Sequence, residues 1–86
     1  MSRRSKLTIV YEILTIIADF DNVKITNLSR QANLSHYEAI AKTEQLINVH
    51  LIKKEGRFFK LTILGVELLK SMNTFKSKIA EFGLEL

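Results

Sequence analysis

Apolar residues return at three- and four-residue steps along most of this chain and alternate over one short stretch, and these two rhythms set out its elements. From Ser5 to Asp19, the positions Ile9, Val10, Ile13, Leu14, Ile17 and Phe20 mark an amphipathic helix, with Ile16 and Ala18 widening its apolar face. Asp19, Asp21 and Asn22 end it, and Val23, Lys24 and Ile25 are β-prone enough for a short strand or extended link. A short helix over residues 27–32 follows, capped by Thr26 or Asn27, with Leu28, Ala32 and Leu34 as its core contacts. It is too short to persist without tertiary packing. Ser35 and Glu38 then stand at capping-box spacing, so the next helix starts at His36. Its inward face holds Ile40, Thr43 and Ile47 with Ala39, Leu46 and His50 beside them, which leaves Tyr37, Glu38, Ala41, Lys42 and Gln45 outward. Two β-prone runs, Leu51–Lys54 and Arg57–Leu61, flank Glu55-Gly56, a tight-hairpin signal. Alternation in the second run puts Phe58 and Lys60 on one face, Phe59 and Leu61 on the other. Thr62 caps a last helix that runs to the chain end, along which Leu68, Met72, Phe75, Ile79, Phe82 and Leu86 fall four and three apart. That is a heptad seam, which asks for a partner helix.

The order helix, short strand, helix, turn, helix, hairpin predicts a mainly α fold with a small β-hairpin: a winged helix-turn-helix with a long C-terminal dimerisation helix. Residues 1–62 are expected to form a DNA-binding part with a basic N-terminal arm, since the second helix of a helix-turn-helix is the one that enters a DNA groove, and residues 63–86 a coiled-coil dimerisation helix. A helix over residues 63–82 is about 30 Å long, more than a domain of this size covers. Its far half, residues 75–86, is expected to project and pair with a second copy about a two-fold axis. The alternative is a helix folded back over its own core.

At 86 residues and 47% apolar, the chain has material for one small core. It contains no cysteine, which removes disulfides, thiolate metal sites and thiol nucleophiles together and suits an intracellular protein. No run of about 18 uncharged apolar residues is present, and no apolar signal core follows the basic N-terminus. The expectation is a soluble, cytoplasmic, nucleoid-associated protein that does not engage a membrane. The net charge of +4 makes a polyanion a reasonable partner. Its placement narrows this, because the excess sits in Arg3, Arg4 and Lys6 and again in Lys53, Lys54, Arg57 and Lys60 around Gly56.

Ala32-Asn33-Leu34-Ser35, then Leu51-Ile52-Lys53-Lys54-Glu55-Gly56-Arg57-Phe58-Phe59-Lys60-Leu61-Thr62, then Gly65 and Glu67-Leu68-Leu69, resemble the archaeal winged-helix family of the 10a-type chromatin proteins. Those proteins bind duplex DNA and dimerise through a C-terminal antiparallel coiled coil, so the resemblance implies both properties here. It covers about residues 5–75. The chain departs from the family in its shorter terminal helix, which leaves the dimer spacing open; whether the helices pair parallel or antiparallel is not fixed by the seam.

In a helix-turn-helix the second helix enters the major groove. This assigns groove contact to Ser35, His36, Tyr37, Ala41, Lys42 and Gln45, against the bland reading of a solvated helix face. Glu38 and Glu44 offset Lys42, so affinity is assigned elsewhere: to Lys53, Lys54, Arg57 and Lys60 on the wing and to Arg3, Arg4, Lys6 and Arg30 on the arm and second helix. His36 and His50 lack a carboxylate at a useful helical offset and read as a capping-turn and a core-edge histidine rather than metal ligands. No nucleophile–base set, phosphate-binding glycine loop or HExxH is present, so no enzyme, no cofactor, no metal and no small-molecule substrate is expected. The reading is a homodimeric double-stranded DNA-binding protein, sequence-tolerant or moderately specific, acting as a transcription regulator or nucleoid organiser. The alternatives are a protein–protein adaptor in a transcription or replication complex, and RNA binding through the basic wing.

Overall fold

The computed structural model describes residues 4–85, so the sequence-assigned Arg3 and Leu86 lie outside the described residues. Helix α1 (Lys6–Asp19) is capped by Ser5, whose hydroxyl accepts from the Thr8 N–H at 3.0 Å. Its buried stripe is Ile13, Leu14, Ile16 and Ile17. Phe20 falls just beyond the helix, where the chain turns extended, and it and Ala18 are exposed, so neither belongs to the core face the periodicity assigned.

Helix α2 (Ile25–Gln31) begins earlier than expected, and neither Thr26 nor Asn27 is its cap. Ile25 is drawn into the helix because it then lies three residues before Leu28 and seven before Ala32, on the face that packs against the core. Asn27 instead reaches back to accept from the Lys24 N–H at 2.9 Å. Val23 keeps the extended form, its carbonyl accepting from the Phe59 N–H at 2.8 Å.

Helix α3 (His36–Asn48) starts where the capping box sets it. The Ser35 hydroxyl accepts from the Glu38 N–H at 3.0 Å and the Glu38 carboxylate accepts from the Ser35 N–H at 3.1 Å. Ala39, Thr43 and Leu46 are buried, the Thr43 hydroxyl being satisfied by donation to the Ala39 or Ile40 carbonyl. Ile40 sits at the exposed edge of this face. His50 is neither helical nor at the core: it is exposed, with φ at +63°.

Strands β1 (Ile52–Glu55) and β2 (Phe58–Leu61) form an antiparallel hairpin in the register Ile52 opposite Leu61 and Glu55 opposite Phe58. The loop is therefore Gly56-Arg57, one residue later than the Glu55-Gly56 assignment. Gly56 has φ +63° and Arg57 does not share it, the pattern of a II′ turn, whose twist matches that of the strands. Ile52 and Phe59 are buried on the inner face.

Helix α4 (Ile63–Glu81) is capped by Thr62, whose hydroxyl oxygen accepts from the Gly65 N–H at 3.0 Å. Gly65 and Met72 are buried, and Leu68 and Leu69 pack against the same core as α1–α3 and the hairpin. Just before the far half, the Tyr11 hydroxyl of α1 donates to Asn73 Oδ1 at 2.6 Å; within it the Lys76 ammonium lies 5.0 Å from the centre of the Tyr11 ring, and Thr8, Tyr11 and Glu12 line a groove of about 480 Å³ with Lys76, Ala80 and Leu84. The far half thus runs beside the N-terminal half of α1, across this groove, with its described residues exposed except for half-buried Ile79. The helix does not continue to the chain end. Gly83 has φ +75°, its N–H donates to the Ala80 carbonyl at 3.0 Å, and the Leu84 N–H donates to the Ile79 carbonyl at 3.0 Å. These paired bonds are a Schellman stop, which leaves Phe82 as the cap and takes the end of the heptad seam out of the helix.

The same device ends α2 and α3. Leu34 N–H donates to the Ser29 carbonyl and Leu51 N–H to the Leu46 carbonyl, with Asn33 and His50 taking the left-handed position that Gly83 takes in α4. The first of these stops is the turn of the helix-turn-helix. Ser29 Oγ reinforces it by donating to the Leu34 carbonyl at 2.7 Å.

Candidate nucleic-acid interface

Because Ala39, Thr43 and Leu46 face inward, the opposite face of α3 is fixed by helical geometry as the line Tyr37, Ala41, Glu44, Gln45 and Asn48. Tyr37 is 80% exposed, and Gln45, Glu44 and Asn48 border it along this face. Ala41 is small between its larger neighbours, which suits close approach of a surface to the helix. His36 is exposed at the first helical position and Ser35 at the cap. Lys42 borders this face. It lies half-buried at the flank, four residues after Glu38, in the favourable order for an acid and a base on one helix edge. Asn48 was missed by the sequence reading, which stopped one turn short. The signal was available in its spacing, eleven residues after Tyr37 and seven after Ala41, on the same face.

The Glu38 carboxyl is held below its ordinary value, first by the Ser35 N–H, then by the Ser35 hydroxyl, with Arg4 and Lys42 adding through their charge. Its negative charge is thereby committed to the start of α3. Arg4 is committed as well. Its Nη1 lies 3.0 Å from both Glu12 carboxylate oxygens and also donates to the Ala32 carbonyl, while Nη2 donates to the Asn33 carbonyl at 2.9 Å. The sequence assigned it to phosphate contact as an arm residue; here its guanidinium faces the turn. Lys6 and Arg30 are exposed, on the first turn of α1 and the last of α2.

The wing cations divide between two faces. Lys53 and Lys60 are directly opposed across the hairpin on its outer face, and Glu55 reaches Lys53 at 3.3 Å. Like charges so opposed destabilise a strand pair, so the outer face holds a positive field that a polyanion would relieve. Arg57 is exposed at the turn. Lys54 points the other way, on the face of Ile52, with its ammonium 5.6 Å from the centre of the Phe59 ring. The group of Lys53, Lys54, Arg57 and Lys60 that the sequence places around Gly56 is therefore split by strand alternation.

The winged helix-turn-helix family profile matches residues 3–80. The chain belongs to that family. The winged helix seen here, mostly helical with four helices and a two-stranded antiparallel wing, is also that of the multiple antibiotic-resistance repressor (MarR) from Listeria monocytogenes 4b F2365, with a TM-score of 0.75 at 18% identity over 88% of this chain. At that identity the likeness concerns the fold. The chain spans 59% of that structure. No curated protein matches the sequence. Winged helix-turn-helix domains of this kind are typical of DNA-binding regulators and are usually not enzymes. Among the described residues, no helix is long and apolar enough to cross a membrane.

Of the sequence-assigned dimer seam, Met72 is buried in the winged helix's own core, Leu68 and Ile79 are half-buried, and Phe75 and Phe82 are exposed. Exposed Leu7 joins Phe75 beside Met72, so α1 adds to this surface.

Proposed function

We propose that this winged helix binds double-stranded DNA, with α3 in the major groove and the outer face of the wing on the phosphate backbone. The observation that carries the reading is the pairing of an exposed α3 face, bearing Tyr37, Gln45 and Asn48, with a wing whose exposed Lys53 and half-buried Lys60 are held opposite each other on its outer face. Tyr37, Gln45 and Asn48 supply the amide and hydroxyl chemistry that reads or positions base edges. Lys53, Lys60, Arg57, Lys6 and Arg30 supply the sequence-independent affinity. The protein acts as a homodimer through Phe75, Ile79 and Leu68 with Leu7, and as a transcription regulator or a nucleoid organiser of the 10a type that its sequence resembles. Two α3 helices engage one DNA face when their separation is near a multiple of about 34 Å.

The test is a salt titration of duplex binding against specific, random and single-stranded competitors. Replacing Lys53, Arg57 and Lys60 with Gln is expected to weaken binding to all duplexes alike and to flatten the salt dependence by about 0.9 for each phosphate no longer neutralised. Unchanged affinity and slope would refute the wing assignment. The second reading, an adaptor that meets protein through α3, draws on Glu38 and Glu44 beside the exposed Tyr37 and Ile40. It predicts no duplex binding, and preference for a single-stranded RNA competitor over single-stranded DNA would indicate RNA binding.

A further inference from the structure

We infer that Arg4 and Glu12 form a positioning clamp for the recognition helix, in which the most N-terminal described cation serves DNA binding without touching DNA. The inference rests on the DNA-binding reading of α3. Its basis is where the guanidinium goes. Arg4 crosses from the start of α1 to the end of α2 and supplies donors to the carbonyls of Ala32 and Asn33. Ala32 is the C-cap of α2 and Asn33 the residue after it, so neither carbonyl has a partner within the helix itself. A cation at a helix C-terminus is also favoured by the helix dipole.

Asn33 is the left-handed residue of the turn, with φ at +54°, and Ser35 two residues later caps α3. The turn is thus held from both sides. Ser29 and buried Leu34 fix it on the α2 side, while Arg4 fixes it to α1 through Glu12. Glu12 is essential to this geometry because it accepts from Nη1 with both oxygens and so holds the fork against the two carbonyls. A lysine has the charge but not the planar fork needed to span a carboxylate and two carbonyls at once. The Asn33 carbonyl that Arg4 meets lies two residues before the Ser35 cap, so the clamp sits beside the capping box, and the Arg4 charge helps to hold the Glu38 carboxyl below its ordinary value.

This predicts opposite signs from a simple electrostatic account. Glu12→Gln removes a negative charge from a DNA-binding protein, which by charge alone strengthens binding and frees Arg4 to reach a phosphate. Under the clamp, Glu12→Gln, Arg4→Gln and Arg4→Lys each weaken duplex binding about three- to tenfold, as expected for residues that couple two elements. The salt slope remains that of the parent protein. If Arg4 contacts phosphate instead, Arg4→Lys keeps affinity and Arg4→Gln lowers the slope by about 0.9.

The measurement is duplex binding by fluorescence anisotropy across a salt series, below the thermal midpoint of every variant as read by circular dichroism. Amide chemical shifts of Asn33, Leu34 and Ser35 are recorded alongside. The expected result is weakened binding at constant slope with shift changes concentrated in those residues. Glu12→Gln binding as tightly as the parent, or more tightly, overturns the clamp, as does a reduced slope in Arg4→Gln. If Arg4→Gln fails to fold, Arg4→Lys and Glu12→Gln decide the matter. Failure of the parent protein to bind duplex overturns the DNA-binding reading and the clamp together, whereas parent binding with indifferent variants overturns the clamp alone.

Discussion

Gly65 is the position where a single methyl group should do most damage. It is the third residue of α4, and a Cβ built there lies 2.0 Å from the Leu51 carbonyl oxygen and 3.1 Å from its carbon. Ordinary contact begins at 3.4 Å, so α4 and the start of the wing must separate by about 1.4 Å at this point. The obstacle is backbone, and it is tied in place. The Thr62 N–H donates to the same Leu51 oxygen at 3.1 Å, and the Thr62 hydroxyl donates to it or to the His50 carbonyl at 2.6 Å. Separation therefore strains the cap of α4 as well as the contact. Helix propensity works the other way, favouring Ala over Gly by about 1 kcal/mol. Overpacking costs about 1–3 kcal/mol, and weakening the Thr62 cap adds about 1 kcal/mol. Gly65→Ala is thus expected to destabilise by about 2 kcal/mol, read as a lowered urea midpoint at unchanged slope, with Ser71→Ala on the exposed side of α4 as a near-neutral control. A Gly65→Ala protein as stable as the parent, or more so, would refute the close-approach argument and leave helix propensity as the governing effect.

His50→Gly should stabilise the fold by about 0.5–1 kcal/mol, because relief of a left-handed side chain outweighs the added freedom of glycine in the unfolded chain; thermal unfolding checks it, and a loss would show that the imidazole has a packing role. Ser35→Ala should cost about 1 kcal/mol, read from the same unfolding curves. Because the folded Glu38 carboxyl titrates below its ordinary value, its contribution is complete above about pH 4.5 and is lost as pH falls through the lowered folded value. Glu38→Gln should flatten that acid limb of the stability profile, and an unchanged limb would refute the assignment. Phe75→Glu with Ile79→Glu should leave a folded monomer by sedimentation, and parent protein that is already monomeric at the same concentration would refute the dimer.

The clearest readings from sequence were those carried by local chemistry. The Ser35–Glu38 box, the Thr62 cap and the alternation of Phe58 to Leu61 each require only neighbours a few residues away, and each is found as expected. Errors arose where two local signals competed. Gly83 after Lys78 and Ala80 was a helix stop, but the heptad spacing of Phe82 and Leu86 ran over it. Gly56 marked the wing turn, yet only the strand register could decide that Arg57, and not Glu55, shared it. Ile25 read as β-prone because it is itself β-branched and follows Val23, and the pull of the core on Ile25 is not a local property.

What the sequence by itself determined is the succession of helices and hairpin and the residues that begin most of them, because periodicity and capping act over a single turn of chain. Only the tertiary structure decided which charges face outward. Arg4 and Lys53 look alike in a charge count, but one meets two carbonyls and a carboxylate from distant elements while the other is turned outward by strand pairing. A side chain's partners across 28 or 29 residues are set by how elements pack, and no local pattern encodes them.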